Sequence, residues 1–235
     1  MTGALYLVPN LLGAVAPARV LPQHTIDTAR RIAHWVVETP KPARAFLKTL
    51  DIAAPISELD IRPFPTTPAT TDLAALLAPA RGGHDIGVLT DAGCPGVADP
   101  GALLVAAAHE AGIRVVPLVG PSAILLALMA SGTNGQRFAF HGYLPAKPES
   151  RAQALRALEA DSRAQRRAEL FIETPYRNVA MLETIAQTLQ PATIVCVAAD
   201  LTLDTESIER RTAAAWRNRD VGRFAKRPAL FVVEA

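Results

Sequence analysis

Between Ile86 and Leu118 the sequence alternates in a way that few folds accommodate. A short apolar run, Ile86–Leu89, is followed by the loop Thr90–Gly101, reading TDAGCPGVADPG. An unbroken helix-forming segment, Ala102–Ala111, comes next and is closed by Gly112, and a second apolar run, Arg114–Leu118, follows it. Strand, loop, helix, glycine and strand at this spacing predict a βαβ unit, and hence a parallel sheet. Leu5–Val8 reads as a further strand.

After a change near Val119–Pro121 the same alternation recurs. Arg137–His141, Glu169–Ile172, Thr193–Ala198 and Ala229–Glu234 read as strands, with helical stretches at Ser150–Ala160, Asn178–Leu189 and Ser207–Asn218. A chain of 235 residues is long enough for two domains of about 100–150 residues each. The expected division is 1–118 and 119–235. The Pro-rich piece Pro63–Pro68 is short enough to be an ordinary connection.

Several function classes find no support. Cys94 and Cys196 lie far apart, and the five histidines show no i, i+4 pair, so no metal site is expected. The longest apolar run, Ala123–Ala130, is well short of the roughly 18 residues that cross a bilayer. With no basic-then-apolar leader visible, a cytoplasmic protein without membrane association is expected. No G-x-G-x-x-G, no phosphate loop and no G-x-S-x-G occurs.

Charge is unevenly placed. Up to residue 118 there are nine Lys/Arg against ten Asp/Glu, and afterwards fifteen against twelve. Ser207–Arg227 carries seven cations and two acids, a stretch that attracts a polyanion or simply forms a solvated helix face.

The chemistry concentrates where strands end. In open α/β sheets ligands bind beyond the strands' carboxyl ends, where Thr90–Gly101 falls. Gly93 and Gly96 let backbone approach a ligand, Pro95 and Pro100 stiffen the loop, Asp91 can accept from an amine or hydroxyl, and Asp99 is placed to cap the next helix. In Val119–Gly132, Gly120-Pro121 makes a turn and Ser122 is placed to cap an apolar helix, whose amides suit an anionic group. Gly142-Tyr143-Leu144-Pro145 and Glu173-Thr174-Pro175-Tyr176-Arg177 follow strands in the same way. Tyr143 alone is as compatible with a core position, and Glu173 with Arg177 as a mutual structural pair.

Taken together, TDAGCPGVADPG, GPSAILLALMASG, RFAFHGYLP and IETPYR resemble the tetrapyrrole methylase superfamily, in order and spacing from Leu5 to about Glu206. The nearest branch is the ribose 2′-O-methyltransferases of small-subunit ribosomal RNA. The resemblance implies an α/β protein with the two-domain tetrapyrrole methylase fold, each domain a mixed or parallel sheet flanked by helices. It implies S-adenosylmethionine in the interdomain cleft, and a homodimer. By position the cofactor would touch Leu12, Asp91, Ala92, Gly93, Cys94, Ser122, Ala123 and Leu144.

Departures from the branch fall on its RNA-facing motifs. The V-A-T-P-I-G-N start becomes Val8-Pro9-Asn10-Leu11-Leu12-Gly13, and E-D-T-R becomes Glu38-Thr39-Pro40-Lys41. R-E-L-T-K becomes Ala199-Asp200-Leu201-Thr202-Leu203, without either cation. Glu38 and Glu173 are the candidate catalytic carboxylates, with Lys41, Tyr143 and Arg177 as candidate substrate contacts. Three activities fit this pattern: methyl transfer to ribosomal RNA, methyl transfer to a small-molecule acceptor, and cofactor binding by a non-catalytic relative.

Overall fold

A computed structural model describes residues 2–52 and 54–235. The chain forms two compact units, 1–122 and 123–235.

The first unit runs β1 (Ala4–Leu7), α1 (Gln23–Arg30), β2 (His34–Val37), α2 (Pro40–Thr49), β3 (Asp60–Pro63), α3 (Thr70–Leu76), α4 (Ala78–Arg81), β4 (Ile86–Leu89), α5 (Ala102–Glu110) and β5 (Arg114–Pro117). Its five strands form one all-parallel sheet in the order β3-β2-β4-β1-β5. Strands buried on both faces read as continuous apolar runs, as in Trp35-Val36-Val37. Alternation sorts these side chains between two cores. Trp35, Val37 and Leu89 pack with Ile26 of α1 and Phe46 and Leu47 of α2. Leu5, Val36, Ile86 and Val88 pack with Leu76 of α3, Ala80 of α4, and Leu104 and Ala108 of α5. Gly87 leaves room for the indole ring, since a Cβ there would lie 2.5 Å from Trp35.

The second unit runs α6 (Ala123–Ser131), β6 (Phe138–Tyr143), α7 (Pro148–Gln165), β7 (Ala168–Glu173), α8 (Asn178–Thr188), β8 (Ile194–Ala199), β9 (Ser207–Thr212), α9 (Ala213–Trp216) and β10 (Ala229–Glu234). Its sheet is mixed, in the order β6-β7-β10-β8-β9, and only β6 and β7 pair in parallel. One core joins Phe171, Val195, Val197, Phe231 and Val233 to Leu155 and Leu158 of α7, Leu182 and Ile185 of α8, and Trp216 of α9. Phe171 and Phe231 stack with centroids 5.1 Å apart.

Two expectations need correction. Ser207–Asn218 is not one helix: Ser207–Thr212 is strand β9, registered antiparallel on β8 from Ala199↔Ser207 to Ile194↔Thr212. The strand has no apolar face because its inward residue is Glu209, compensated by arginines rather than by apolar packing. Helix resumes only after Thr212, whose side chain accepts from the Ala215 amide at 3.2 Å. Asp99 does not cap α5, whose N-cap is Gly101 at φ +130° with no side-chain bond.

No helix among the described residues is long and apolar enough to cross a membrane.

Candidate cofactor site

In the first unit the carboxyl ends of β1, β2 and β4 meet, and the loops leaving them are joined by short hydrogen bonds. Asn10, just beyond β1, is buried. Its Nδ2 donates to the Thr90 carbonyl at 2.8 Å and the Asp91 carbonyl at 3.1 Å, and its amide donates to the Gly93 carbonyl at 2.8 Å. Glu38, the first residue after β2, places Oε2 3.0 Å from the Asp91 amide, which donates to it. Thr39 Oγ1 donates to Asp91 Oδ2 at 2.9 Å. The Asp91 side chain is therefore exposed yet fixed in direction by a neighbouring strand end.

The loop itself requires left-handed backbone at Gly93 (φ +70°) and Gly96 (φ +78°). At Gly93 the nearest atom to a notional Cβ is Leu12 Cδ2, 3.6 Å away, so Leu12 flanks the loop. On the other side, Cys94 Sγ donates to the Pro121 carbonyl at 3.5 Å. Burial, and then the charge of Asp99, push the Cys94 thiol above its ordinary range. Gly120 permits a close approach: a Cβ there would lie 2.3 Å from Pro9 Cβ. The segments after β1, β4 and β5 are thus held together around Gly93, and Ser122 ends the same unit.

Three carboxylates, Glu38, Asp91 and Asp99, gather at this edge, and none is paired with a lysine or arginine among the described residues. Asp99 registers the consequence. Burial, then the charges of Glu38 and Asp91, push its carboxyl up to about 6, against the opposing hydrogen bond with Thr90. An uncompensated carboxylate cluster beside a glycine loop with open backbone fits a cationic ligand with polar substituents. S-adenosylmethionine, with its sulfonium, ammonium and ribose hydroxyls, is of that kind.

The remaining residues predicted from sequence are distributed as follows. Ala92 is exposed in the loop, and Lys41 is exposed in the first turn of α2. Ala123 opens α6 in the second unit. Tyr143 ends β6 at 60% exposure, whereas Leu144 is buried in the core beside it, so a ligand contact there falls to its main chain. Glu173 ends β7 almost fully buried. Its Oε1 accepts from the Thr174 amide at 2.6 Å and from Arg177 at 2.5 and 2.8 Å. Asn10 and Thr39 were missed as site residues; a polar side chain two or three residues beyond an apolar strand was the available signal.

A family model described as Tetrapyrrole (Corrin/Porphyrin) Methylases matches residues 24–216. The chain belongs to the tetrapyrrole methylase family. As a tetrapyrrole methylase it is an S-adenosylmethionine-dependent methyltransferase. Among curated relatives, the Escherichia coli O157:H7 protein named ribosomal RNA small subunit methyltransferase I is 33% identical over 233 residues, covering 98% of this chain and 77% of that one. The protein of the same name from Xylella fastidiosa is 32% identical over 231 residues, covering 98% and 80%. Among solved structures, the methyltransferase CobJ superposes with a TM-score of 0.65 at 20% identity, covering 100% of this chain and 95% of that one. The uroporphyrin-III-C-methyltransferase of Thermus thermophilus gives 0.59 at 21%, covering 100% and 93%. These two structures bear on the tetrapyrrole methylase fold, not on the acceptor.

Proposed function

We propose that this tetrapyrrole methylase transfers the methyl group of S-adenosylmethionine to a ribose 2′-hydroxyl of small-subunit ribosomal RNA. The observation that carries the acceptor class is the alignment, over 98% of the chain, with two proteins named for that RNA. In this reading the cofactor lies against the loop after β4 and touches Leu12, Asp91, Ala92, Gly93, Cys94, Ser122, Ala123 and Leu144.

The bound cofactor supplies an electrophilic methyl on a sulfonium sulfur. The chain's own contribution is alignment and exclusion of water. Glu38 and Thr39 set the direction of Asp91 through its amide and its Oδ2. A base is required only if the acceptor loses its proton early. Glu38, with one donor on Oε2, is freer for that task than Glu173, whose charge Arg177 compensates. Lys41 and Arg177 orient the acceptor, and Tyr143 offers an exposed ring for an unstacked base.

We further propose a cytoplasmic homodimer. The apolar helix α6 carries no charged residue and keeps Met129 79% exposed, which supports a covering surface of like chemistry.

The test is methyl transfer. Purified protein is incubated with methyl-labelled cofactor and small ribosomal subunits, and in parallel with a small-metabolite extract. Label in the RNA, recovered in nucleosides modified at the ribose, is the expected result. Label confined to the metabolite fraction would replace this acceptor with a small molecule, the reading that Thr39, Ala199 and Leu203 favour.

A further inference from the structure

Strand β9 is an edge, paired only with β8. Its central residue, Glu209, is 9% exposed, and three arginines from separate segments converge on its carboxylate. Arg211, two residues on, and Arg223 both pair with it, and Arg219, beyond α9, places Nε 2.9 Å from Oε1. One carboxylate offsets one guanidinium, so the three arginines paired with Glu209 among the described residues outnumber it by two charges. The three arginine side chains remain between 36% and 41% exposed.

The node continues into a second one. Arg223 and Arg227 both lie over the buried ring of Phe224, at 4.8 and 5.9 Å from its centroid, and Arg227 Nη1 donates to the Arg223 carbonyl at 3.3 Å. Arg227 Nε in turn holds Asp200 Oδ2 at 2.8 Å. Asn178, fully buried, donates to the carbonyls of Phe224 and Arg227 and so fixes the segment that presents these groups. The nearby acids Asp220 and Glu206 accept from backbone amides, of Gly222 and Thr202 respectively, rather than from arginines of the strip.

Charge on an edge strand has a simpler use, since it discourages strand pairing between molecules. That use requires exposed charge alone. It does not require three guanidiniums assembled on a buried carboxylate, braced by an aromatic ring and a buried asparagine. Guanidinium forks held in place are suited to phosphate oxygens, which accept from them in pairs, and their ordering cost is already met in the free protein.

We infer that the arginines gathered on Glu209, namely Arg211, Arg219 and Arg223, form a phosphate-binding strip that holds the backbone of the RNA acceptor. The inference rests on the acceptor class proposed above and adds the surface that recognises it. Because phosphate contacts carry no sequence information, the strip contributes affinity and orientation rather than choice of nucleotide.

The experiment compares the full-length protein with two variants, R219Q/R223Q and E209Q/R219Q/R223Q. The first leaves Glu209 paired with Arg211 alone, and the second removes that carboxylate as well. Binding to a full-length small-subunit ribosomal RNA transcript is measured from about 50 to about 200 mM KCl, with cofactor binding as the check on folding. Each lost phosphate contact removes about 0.7 to 0.9 from the slope of log affinity against log salt. The expected result is a slope shallower by about one to two, an affinity lower by about ten-fold at the lowest salt, and unchanged cofactor affinity. Variants that bind the transcript with the wild-type slope and affinity overturn the strip alone. A wild-type protein that binds cofactor yet neither binds nor methylates the RNA overturns the acceptor class, and the strip with it.

Discussion

The Asp91 amide donates to Glu38 Oε2 at 3.0 Å, joining the loop after β4 to the first residue after β2. The neighbouring strand end thereby holds the loop that carries the carboxylate proposed to meet the cofactor, and Thr39 fixes its direction through Asp91 Oδ2. Glu38→Ala should weaken S-adenosylmethionine binding by about 1 kcal/mol, about five-fold in Kd, as expected for one partly exposed hydrogen bond. Glu38→Gln, which keeps an accepting oxygen, should lose much less. Calorimetric titration of both variants checks the order.

Asp99 gives the stability a dependence on pH. Its carboxyl is raised from an ordinary 3.8 to about 6 in the folded chain. Below about 4 the group is protonated in both states, and its contribution is fully present. Between about 4 and about 6 the unfolded chain releases a proton that the folded chain retains, so stability falls as pH rises through this window. Asp99→Asn should remove that component. The Tm difference between variant and wild type should shift in the variant's favour from pH 4 to pH 7, and a constant difference would contradict this origin.

Gly120 and Gly112 separate two reasons for glycine. A Cβ at Gly120 meets Pro9 at 2.3 Å, whereas Gly112 has nothing within 4 Å and a φ of +67°. Gly120→Ala should cost about 1–3 kcal/mol through overpacking and also weaken cofactor binding, because Pro9 leads directly into Asn10. Gly112→Ala should cost about 1 kcal/mol from backbone strain and leave the cofactor unaffected. Denaturant midpoints with parallel titrations distinguish the two.

Glu173 and Arg177 make opposite predictions as strut and as catalyst. Arg177→Ala strands a buried carboxylate, and unfolding should become easier by about 3 kcal/mol. The double variant Glu173→Gln, Arg177→Met removes both charges and should recover most of that loss. If the pair is a strut, the recovered protein retains methyl transfer, whereas its loss in a stable double variant would place the pair in the acceptor site.

Local chemistry made part of this fold readable. The β4–α5–β5 unit announces itself through an apolar run, a glycine and proline loop and a closing glycine. Strands β2 and β3 passed unread because His34 and Asp60 open them with polar groups, which face each other at 3.0 Å across the pair. Strand β9 resembled a helix because its buried residue is a glutamate, whose compensation by Arg219 and Arg223 comes from ten or more residues away. The glycine loop of the candidate site was legible in the same way as the βαβ unit. The contacts of Asn10 and Thr39 were not, since each reaches across at least fifty residues to a loop that only the strand order β2-β4-β1 brings near.

The central claim is that the loop Thr90–Gly101 on the carboxyl edge of the first sheet binds the cofactor through Asp91. Calorimetric titration with S-adenosylmethionine, beside an Asp91→Ala variant of unchanged Tm, tests it most directly. Saturable one-site binding by the wild type, weakened at least about ten-fold in the variant, is the predicted result. Equal affinity in the two proteins, or no binding by the folded wild type, would contradict it.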